Sequence, residues 1–194
     1  MNKHSKPMKI VCLGDSLTKG YKLKKGEDWV SIVAAQHTSE WINHGILGDT
    51  STGLVARLEK DFFSHHPNQG IFMAGTNDFI YGVPASVVKS NMACIVHHCR
   101  HHKIKARLGV PILIQPEEAA KHWGASINFQ EVNRQLMAFR LWLYQFQEQF
   151  SCEIIDFQEA FLLASKSIHP DQLYSDGLHP TKLGNQIMSE ILLL

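Results

Sequence analysis

Two segments far apart in the sequence carry side chains that could perform nucleophilic chemistry. An apolar run at residues 10–13 stops at Gly14, Asp15 and Ser16, and Asp176 and His179 stand three residues apart near the other end of the chain. A serine hydroxyl is a weak nucleophile until a base lies within hydrogen-bond reach, and the base needs a partner that fixes its tautomer. The residue types therefore predict Ser16 as nucleophile, His179 as base and Asp176 as the carboxylate that orients the imidazole.

Two glycine-containing segments between them could stabilise an oxyanion. Such a charge needs hydrogen-bond donors aimed at it. Gly48 offers a backbone N–H with no side chain in the way, and Asn77 offers a side-chain amide. The backbone N–H of Ser16 is a natural third donor.

Each segment also has an ordinary structural interpretation. The Gly-Asp-Ser turn could serve only as turn and cap, and Gly48 could be only a turn glycine. Asn77 with Asp78, and Asp176 with His179, could be helix caps. Their joint occurrence in this order, each at a predicted strand or helix end, favours the catalytic interpretation.

Strand and helix patterns alternate along the chain and predict an α/β protein. The predicted strands are residues 8–13, 40–43, 70–74, 110–114 and 152–156. The predicted helices begin at 29, span about 51–65, begin near 84 or 85, span about 128–150 and follow 180. This alternation predicts one domain over residues 1–194 with a parallel sheet, preceded by a loose polar tail at 1–7. In such sheets ligands bind beyond the carboxyl ends of the strands, where the four segments fall.

The four segments together resemble the sequence blocks of the SGNH hydrolase superfamily, also called GDSL esterases and lipases. The matching blocks are residues 14–18, 45–50, 75–78 and 176–180. The resemblance implies a three-layer α/β/α flavodoxin-like fold with a five-stranded parallel sheet in the order 2-1-3-4-5. It covers nearly the full length of the chain.

The same resemblance implies roles for individual residues. Ser16 would be the nucleophile, His179 the general base and acid, and Asp176 its orienting carboxylate. The oxyanion hole would consist of the Ser16 and Gly48 backbone amides and the Asn77 side chain. No metal and no organic cofactor is implied.

The expected activity is hydrolysis of a small or medium acyl ester. Lysophospholipids, acyl-thioesters and acetylated sugars are all compatible substrates. A carbohydrate O-deacetylase would need polar and aromatic groups around the site, which Gln115, Glu117 and Trp123 could supply. Tyr21 and Trp123 are candidates for lining the substrate pocket, with ordinary packing as the alternative. Residues 115–127 have no clear period and are interpreted as a wall or lid of the site.

A non-catalytic function is the alternative from another class. A flavodoxin-like sheet can bind a phosphorylated ligand at the loop after its first strand. Residues 14–20 would then form an anion cradle, helped by Lys19. That interpretation leaves Asp176 and His179 without a role, and Asp15 disfavours a phosphate there.

Composition limits the partners of the chain. The 194 residues are 44% hydrophobic, enough for a substantial core, and carry a net charge of +1, which gives no reason to expect nucleic acid or an acidic membrane surface. No apolar run approaches the ~20 residues of a membrane span, and no cleavable signal peptide is recognised. Cys12, Cys94, Cys99 and Cys152 are poorly placed for disulfides and predict free thiols in a reducing, cytoplasmic setting.

The histidine-rich segment 97–102 has a metal-binding interpretation and an ordinary one. Cys94, His97 and His101 could share a metal on one helix face. A structural metal site usually needs four well-spaced ligands, and imidazoles suit the negative end of a helix. We therefore predict a solvated helix end and no metal.

The predicted helix 128–150 has apolar residues on two faces. One set is Phe129, Val132, Leu136, Phe139, Leu143 and Phe146; the other is Met137, Leu141 and Tyr144. A helix that is apolar on both sides is often covered twice. The second set could be covered by the protein's own loops or by a second subunit in a homo-oligomer.

Overall fold

Five parallel strands form the central sheet of the protein. The computed structural model describes residues 7–193, so the predicted tail at 1–7 lies outside the described residues apart from Pro7. The strands are β1 (Lys9–Gly14), β2 (Glu40–Gly45), β3 (Gln69–Met73), β4 (Lys105–Val110) and β5 (Glu153–Asp156). Their order is β2-β1-β3-β4-β5 and every neighbouring pair is parallel, which confirms the predicted sheet.

Helices cover both faces of this sheet. They are α1 (Ser16–Lys19), α2 (Trp29–Ala34), α3 (Ser51–Ala56), α4 (Leu58–Asp61), α5 (Thr76–Ile80), α6 (Ala85–His101), α7 (Pro116–Trp123), α8 (Phe129–Phe150), α9 (Phe157–Ala164), α10 (Pro170–Leu173) and α11 (Lys182–Glu190). Successive side chains of a strand point to opposite faces. Val11 and Leu13 of β1 accordingly pack into one core, with α3 to α8, while Ile10 and Cys12 pack into a second, with α2, α9 and α11. The result is the expected three-layer α/β/α architecture.

The two long helices form where the sequence pattern predicts them. The stripe of α6 that begins at Val88 and the first apolar stripe of α8 are both buried. Asn128 caps α8 by accepting a hydrogen bond from the backbone N–H of Glu131 at 3.0 Å. Helical periodicity is reliable here because each helix is long enough to repeat its apolar positions several times.

The predicted fourth strand, residues 110–114, is wrong. The strand is Lys105–Val110, and Pro111, which has no N–H to donate, follows its last residue. The backbone of Ile114 is bound instead by the Asn133 side chain, whose Oδ1 accepts from the Ile114 N–H at 2.8 Å and whose Nδ2 donates to the Ile114 carbonyl at 2.7 Å. The sequence does not reveal the true strand because a charged residue such as Lys105 is not expected at the start of a sheet strand. In the structure, the Lys105 charge is paired with Glu153 of β5.

The predicted continuous helix 51–65 is also wrong. The segment consists of α3, α4 and a 3-10 turn at Phe63–His65. The break falls at Arg57, whose backbone lies outside helical geometry at φ −105° and ψ 10°. Its guanidinium donates to Asp49 at 2.7 Å, to Asp61 at 3.2 Å and to the Gly14 carbonyl at 3.1 Å. Leu54, Leu58 and Phe62 stay buried across the break, which is why their spacing does not reveal it.

Residues 115–127 are more ordered than the sequence suggests. They contain α7, which has Pro116 in its first turn and ends at Gly124, where φ is +110°. The helix is too short to display a clear apolar period. Four other helices that periodicity does not predict, α1, α5, α9 and α10, are four to eight residues long.

Three predictions about surfaces and partners concern the described part of the chain. Within residues 7–193, no helix is long and apolar enough to cross a membrane. The four cysteines carry free thiols. The second apolar set of α8 is exposed, Leu141 by 65%. The described loops therefore leave this face open, and its covering by a second subunit stays a prediction.

Candidate active site

Ser16 lies at the sharp turn between β1 and α1. Asp15 caps α1, since its Oδ1 accepts a hydrogen bond from the Leu17 backbone N–H at 2.8 Å. The turn packs closely against the end of β2: a Cβ on Gly45 would lie 2.3 Å from the Lys19 backbone nitrogen. Glycine is required there because the two backbones approach so closely. This packing fixes Ser16 at the carboxyl edge of the sheet.

The structure brings Ser16 together with His179, which is 163 residues away in the chain. His179 Nε2 lies 2.9 Å from Ser16 Oγ. On the other side of the ring, His179 Nδ1 lies 3.1 Å from both carboxylate oxygens of Asp176. The His179 backbone N–H also donates to Asp176 Oδ1 at 2.8 Å, so hydrogen bonds within residues 176–179 fix the position of the imidazole relative to the carboxylate.

Burial and charge set the protonation of this pair. Burial lowers the pKa of His179 below its ordinary value of 6.5; Asp176 opposes the shift and the Lys22 charge adds to it. Burial alone would raise the pKa of Asp176, but the His179 backbone N–H, the His179 charge and the side-chain bond outweigh it and lower that pKa. At neutral pH the imidazole is therefore neutral and the carboxylate ionised, which is the state that can accept a proton from a hydroxyl.

The two predicted oxyanion donors outside Ser16 lie at the same cavity. Gly48 has φ +74°, a conformation that favours glycine. Asn77 Nδ2 donates to the Asp49 carbonyl at 2.9 Å and lies 3.3 Å from Asp15 Oδ2. These two acceptors orient the carboxamide so that its nitrogen, not its oxygen, faces the serine turn.

Asp78 organises the site, although by sequence alone it cannot be told from an ordinary helix cap. It is fully buried and accepts hydrogen bonds from Ser51, from the backbone N–H at 3.0 Å and from the hydroxyl at 2.7 Å. Asp78 thus ties the segment that carries Asn77 to the start of α3, directly after the loop that carries Gly48. Only the three-dimensional contact distinguishes this role from capping.

Asp15 is buried close to further carboxylates. Its burial, together with the charges of Asp78 and Asp49, raises its pKa to about 7, although the Leu17 backbone N–H works against the shift. The group therefore titrates near neutrality, next to Asn77.

A cavity of about 480 Å³ opens above Ser16. This is in the range of small-molecule sites, about 300–1,000 Å³. Besides the groups already described, its walls are mainly apolar and aromatic: Tyr21, Leu47, Ile80, Tyr81, Trp123, Ile127, Phe129 and Leu178. Residues 115–127 contribute Trp123 and Ile127, so part of the predicted wall lines the cavity.

Tyr21 and Trp123 both flank the histidine. The ring centroids of Tyr21 and His179 are 4.3 Å apart, and those of Trp123 and His179 are 5.2 Å apart. Trp123 is held there by α7, whose first turn packs on Gly177: a Cβ on this glycine, at φ +76°, would lie 2.4 Å from the Ala119 backbone nitrogen. The loop that carries Asp176 and His179 therefore packs directly on the helix that carries Trp123.

The polar residues considered for a sugar substrate lie elsewhere. Gln115 and Glu117 line a separate cavity of about 430 Å³, together with His169 and Asp171. Neither residue lines the cavity above Ser16, so of the three residues considered for a sugar substrate only Trp123 does.

Metal ligands are not assembled in the described part of the chain. Within residues 7–193, no group of three or more His, Cys, Asp or Glu side chains could hold a metal ion. In the histidine-rich segment, the His97 ring packs edge-on against Phe150 at 5.2 Å.

A flavodoxin-like sheet with a serine, a histidine and an aspartate in contact at its carboxyl edge defines an SGNH-type hydrolase. A profile of the GDSL-like Lipase/Acylhydrolase family matches residues 12–187, and the chain belongs to this family. Membership places it among carboxylic ester hydrolases.

Similar proteins carry names of several esterase types. A Vibrio mimicus protein named arylesterase is 32% identical over 93 residues, 45% of this chain and about half (46%) of that protein. The Escherichia coli K12 protein named thioesterase 1/protease 1/lysophospholipase L1 is 25% identical over 175 residues, 89% of this chain and 76% of that protein.

Solved structures share the fold. A member of the lipolytic protein G-D-S-L family from Veillonella parvula superposes with a TM-score of 0.79 at 20% identity, over 96% of each chain. A mutant of an acetylxylan esterase from Geobacillus stearothermophilus superposes with a TM-score of 0.78 at 21% identity, over 96% of this chain and 92% of that one. At this level of identity the likeness concerns the fold alone.

Proposed function

We propose that the chain hydrolyses small or medium acyl esters through an acyl-enzyme formed on Ser16. The observation that carries the proposal is the hydrogen-bonded series Asp176, His179, Ser16, with a 2.9 Å contact between His179 Nε2 and the hydroxyl at a cavity wall. This is the geometry that activates a serine.

The reaction proceeds in two halves. Ser16 Oγ attacks the acyl carbonyl while His179 takes its proton, and the oxyanion is held by the Ser16 and Gly48 backbone amides and Asn77. The bond to the leaving alcohol then breaks as His179 returns the proton to that oxygen. Water, deprotonated by His179, then attacks the Ser16 ester; the bond between the acyl carbon and Ser16 Oγ breaks as His179 returns the proton to Oγ, which releases the acid and restores the hydroxyl.

The cavity supports an acyl chain as the group bound above Ser16. Its apolar walls, including Ile80 and Phe129, match an alkyl chain better than a sugar. A thioester or a lysophospholipid is the second candidate, supported by the name of the Escherichia coli relative that aligns over most of this chain. A carbohydrate O-deacetylase receives less support, since Gln115 and Glu117 face another cavity.

The phosphate-binding alternative needs backbone N–H groups in residues 14–20 that are free to bind an anion. The backbone N–H groups of Leu17, Lys19 and Gly20 are all bound inside the turn, to Asp15 and Ser16. Few amides remain to cradle an anion in residues 14–20.

We keep a reducing, cytoplasmic setting as part of the proposal, because the four cysteines carry free thiols.

The test is hydrolysis of p-nitrophenyl esters from acetyl to decanoyl, combined with labelling by a serine-directed fluorophosphonate. We expect the highest kcat/KM for chains of about four to eight carbons, in keeping with a medium-sized apolar cavity, and label on the peptide that contains Ser16. A folded protein that neither hydrolyses these esters nor takes the label would contradict the proposal.

The pH dependence follows from the lowered pKa of His179. The protonated imidazole cannot accept the Ser16 proton, so activity is lost as the pH falls through that pKa and is present above it. We expect kcat/KM to rise with pH with a midpoint below 6.5, measured with p-nitrophenyl butyrate at the isosbestic wavelength of the product. A midpoint clearly above 6.5 would show that His179 is not the base or is not buried as described.

A further inference from the structure

The three proposed oxyanion donors come from three separate segments of the chain. The Ser16 N–H lies at the start of α1, the Gly48 N–H in the loop after β2, and the Asn77 carboxamide on α5. Stabilisation of an oxyanion requires donors that are already aimed at it, and a misplacement of about 1 Å can cost about 10²-fold in rate. The site therefore needs a contact that fixes these segments relative to one another.

Arg57 contacts two of the three segments directly. Its Nη2 donates at 3.1 Å to the carbonyl of Gly14, the last residue of β1. Its Nε donates at 2.7 Å to Oδ2 of Asp49, the residue that follows Gly48, and the side chains of this ion pair are each only 11% exposed. Hydrogen bonds from an ionised donor are about twice as strong as those between neutral groups. The guanidinium therefore ties the serine turn to the Gly48 loop.

Asp49 extends this connection to the third donor. Its backbone carbonyl accepts the hydrogen bond from Asn77 Nδ2 at 2.9 Å, while its carboxylate is bound by Arg57. The carboxylate lies against Gly53 of α3, where a Cβ would come within 1.7 Å of Oδ1 and push it from this position. The placement of the Asn77 amide thus depends on the same ion pair as the placement of the Gly48 amide.

We propose that Arg57 is a positioning residue of the oxyanion hole: it holds the Gly48 amide and the Asn77 carboxamide at a fixed distance from the serine turn. The inference rests on the proposed ester hydrolysis. Arg57 lies outside the described walls of the cavity, so it acts on the reaction through Asp49. A third bond, from its Nη1 to Asp61 Oδ2 at 3.2 Å, anchors the guanidinium on α4.

Replacing Arg57 with lysine is the first test. Lysine retains the positive charge but lacks the planar fork, so it cannot bind the Gly14 carbonyl and Asp49 in the same geometry. We expect kcat for p-nitrophenyl butyrate to fall about tenfold with KM within about twofold, because the oxyanion donors act in the transition state. Arg57→Gln, which also removes the charge, should lower kcat by about 10²-fold.

Arg140→Gln is the matched control for loss of a paired arginine. The Arg140 guanidinium donates to Asp156 at 2.6 Å and to Glu159 at 2.7 Å, and none of these three residues lines the cavity above Ser16. We expect this variant to unfold at a lower urea concentration, as the Arg57 variants do, but with kcat unchanged. A fall in kcat equal to that of Arg57→Gln would overturn the inference, because general loss of stability would then explain both.

A double-mutant cycle tests the connection to Asn77. In the Asn77→Ala enzyme one of the donors that Arg57 positions is already missing, so Arg57→Lys should lower kcat there by no more than about threefold. An undiminished factor in that background, or a folded Arg57→Lys enzyme with unchanged kcat, would overturn the inference. In either case, a wild type that hydrolyses the ester and is labelled on Ser16 leaves the proposed function standing. A folded wild type that does neither would contradict both.

Discussion

Replacing Ser16 with alanine is expected to lower kcat/KM for p-nitrophenyl esters by about 10⁴–10⁶-fold. The hydroxyl is the only group at the turn that His179 Nε2 contacts at hydrogen-bond distance, 2.9 Å. Without it no acyl-enzyme can form, and the residual rate comes from direct attack of water on the bound ester, with the oxyanion donors still able to stabilise the carbonyl oxygen. Covalent labelling by the fluorophosphonate should disappear in the same variant.

The substitution should leave the fold intact. Ser16 begins α1, and that helix is capped by the side chain of Asp15. One side-chain hydrogen bond is lost, worth about 0.5–1.5 kcal/mol, so the urea midpoint should shift only slightly. Ser126→Ala, an exposed serine next to the cavity residue Ile127, is the matched control and should keep full activity. Activity of Ser16→Ala within about tenfold of the wild type would disprove the assignment of the nucleophile.

The parts of the fold that the sequence predicts well are those with a local cause. The apolar run of β1 is cut off by Gly14, and the helices α6 and α8 repeat their apolar positions over many turns. The segments that carry Ser16, Gly48, Asn77 and His179 could be placed at one edge because parallel strands end on the same side of a sheet.

The parts that the sequence did not predict have causes distant in the chain. The charge of Lys105 argues against a strand until Glu153 is seen beside it. The run after Val110 resembles a strand, but its backbone is bound by Asn133 of α8. Likewise, nothing local indicates that Gly177 must lack a side chain so that α7 can pack on it. Such errors reflect contacts between elements, which periodicity does not report.

The site shows the same division. Residue types and order suggested which groups meet and that Tyr21 lines the pocket, whereas the direct contact of the Tyr21 ring with His179 is visible only in the folded loop. Which residues lie at the cavity was therefore easier to predict than how the aromatic rings pack around His179.

Replacing Asn77 with alanine is expected to lower kcat by about 10²–10³-fold with little change in KM. One N–H of the carboxamide is bound by the Asp49 carbonyl at 2.9 Å, and the other makes a longer, 3.3 Å contact with Asp15 that an oxyanion would replace. The carboxamide would bind the oxyanion more strongly than the ground-state carbonyl, so its loss is felt in the transition state and not in substrate binding. Steady-state kinetics with p-nitrophenyl butyrate would separate the two constants.

The same change also removes a donor from buried acceptors, and this cost must be measured apart from catalysis. We expect Asn77→Ala to unfold at a lower urea concentration, by about 1–3 kcal/mol, because the Asp49 carbonyl and the Asp15 carboxylate lose a partner. Asn91→Ala is the matched control: its carboxamide donates to Ser51 and Thr52 at 2.9 and 3.0 Å, outside the cavity walls. It should lose stability without a comparable fall in kcat. A folded Asn77→Ala enzyme with unchanged kcat would remove Asn77 from the oxyanion hole and leave stabilisation of the oxyanion to the backbone amides of Ser16 and Gly48.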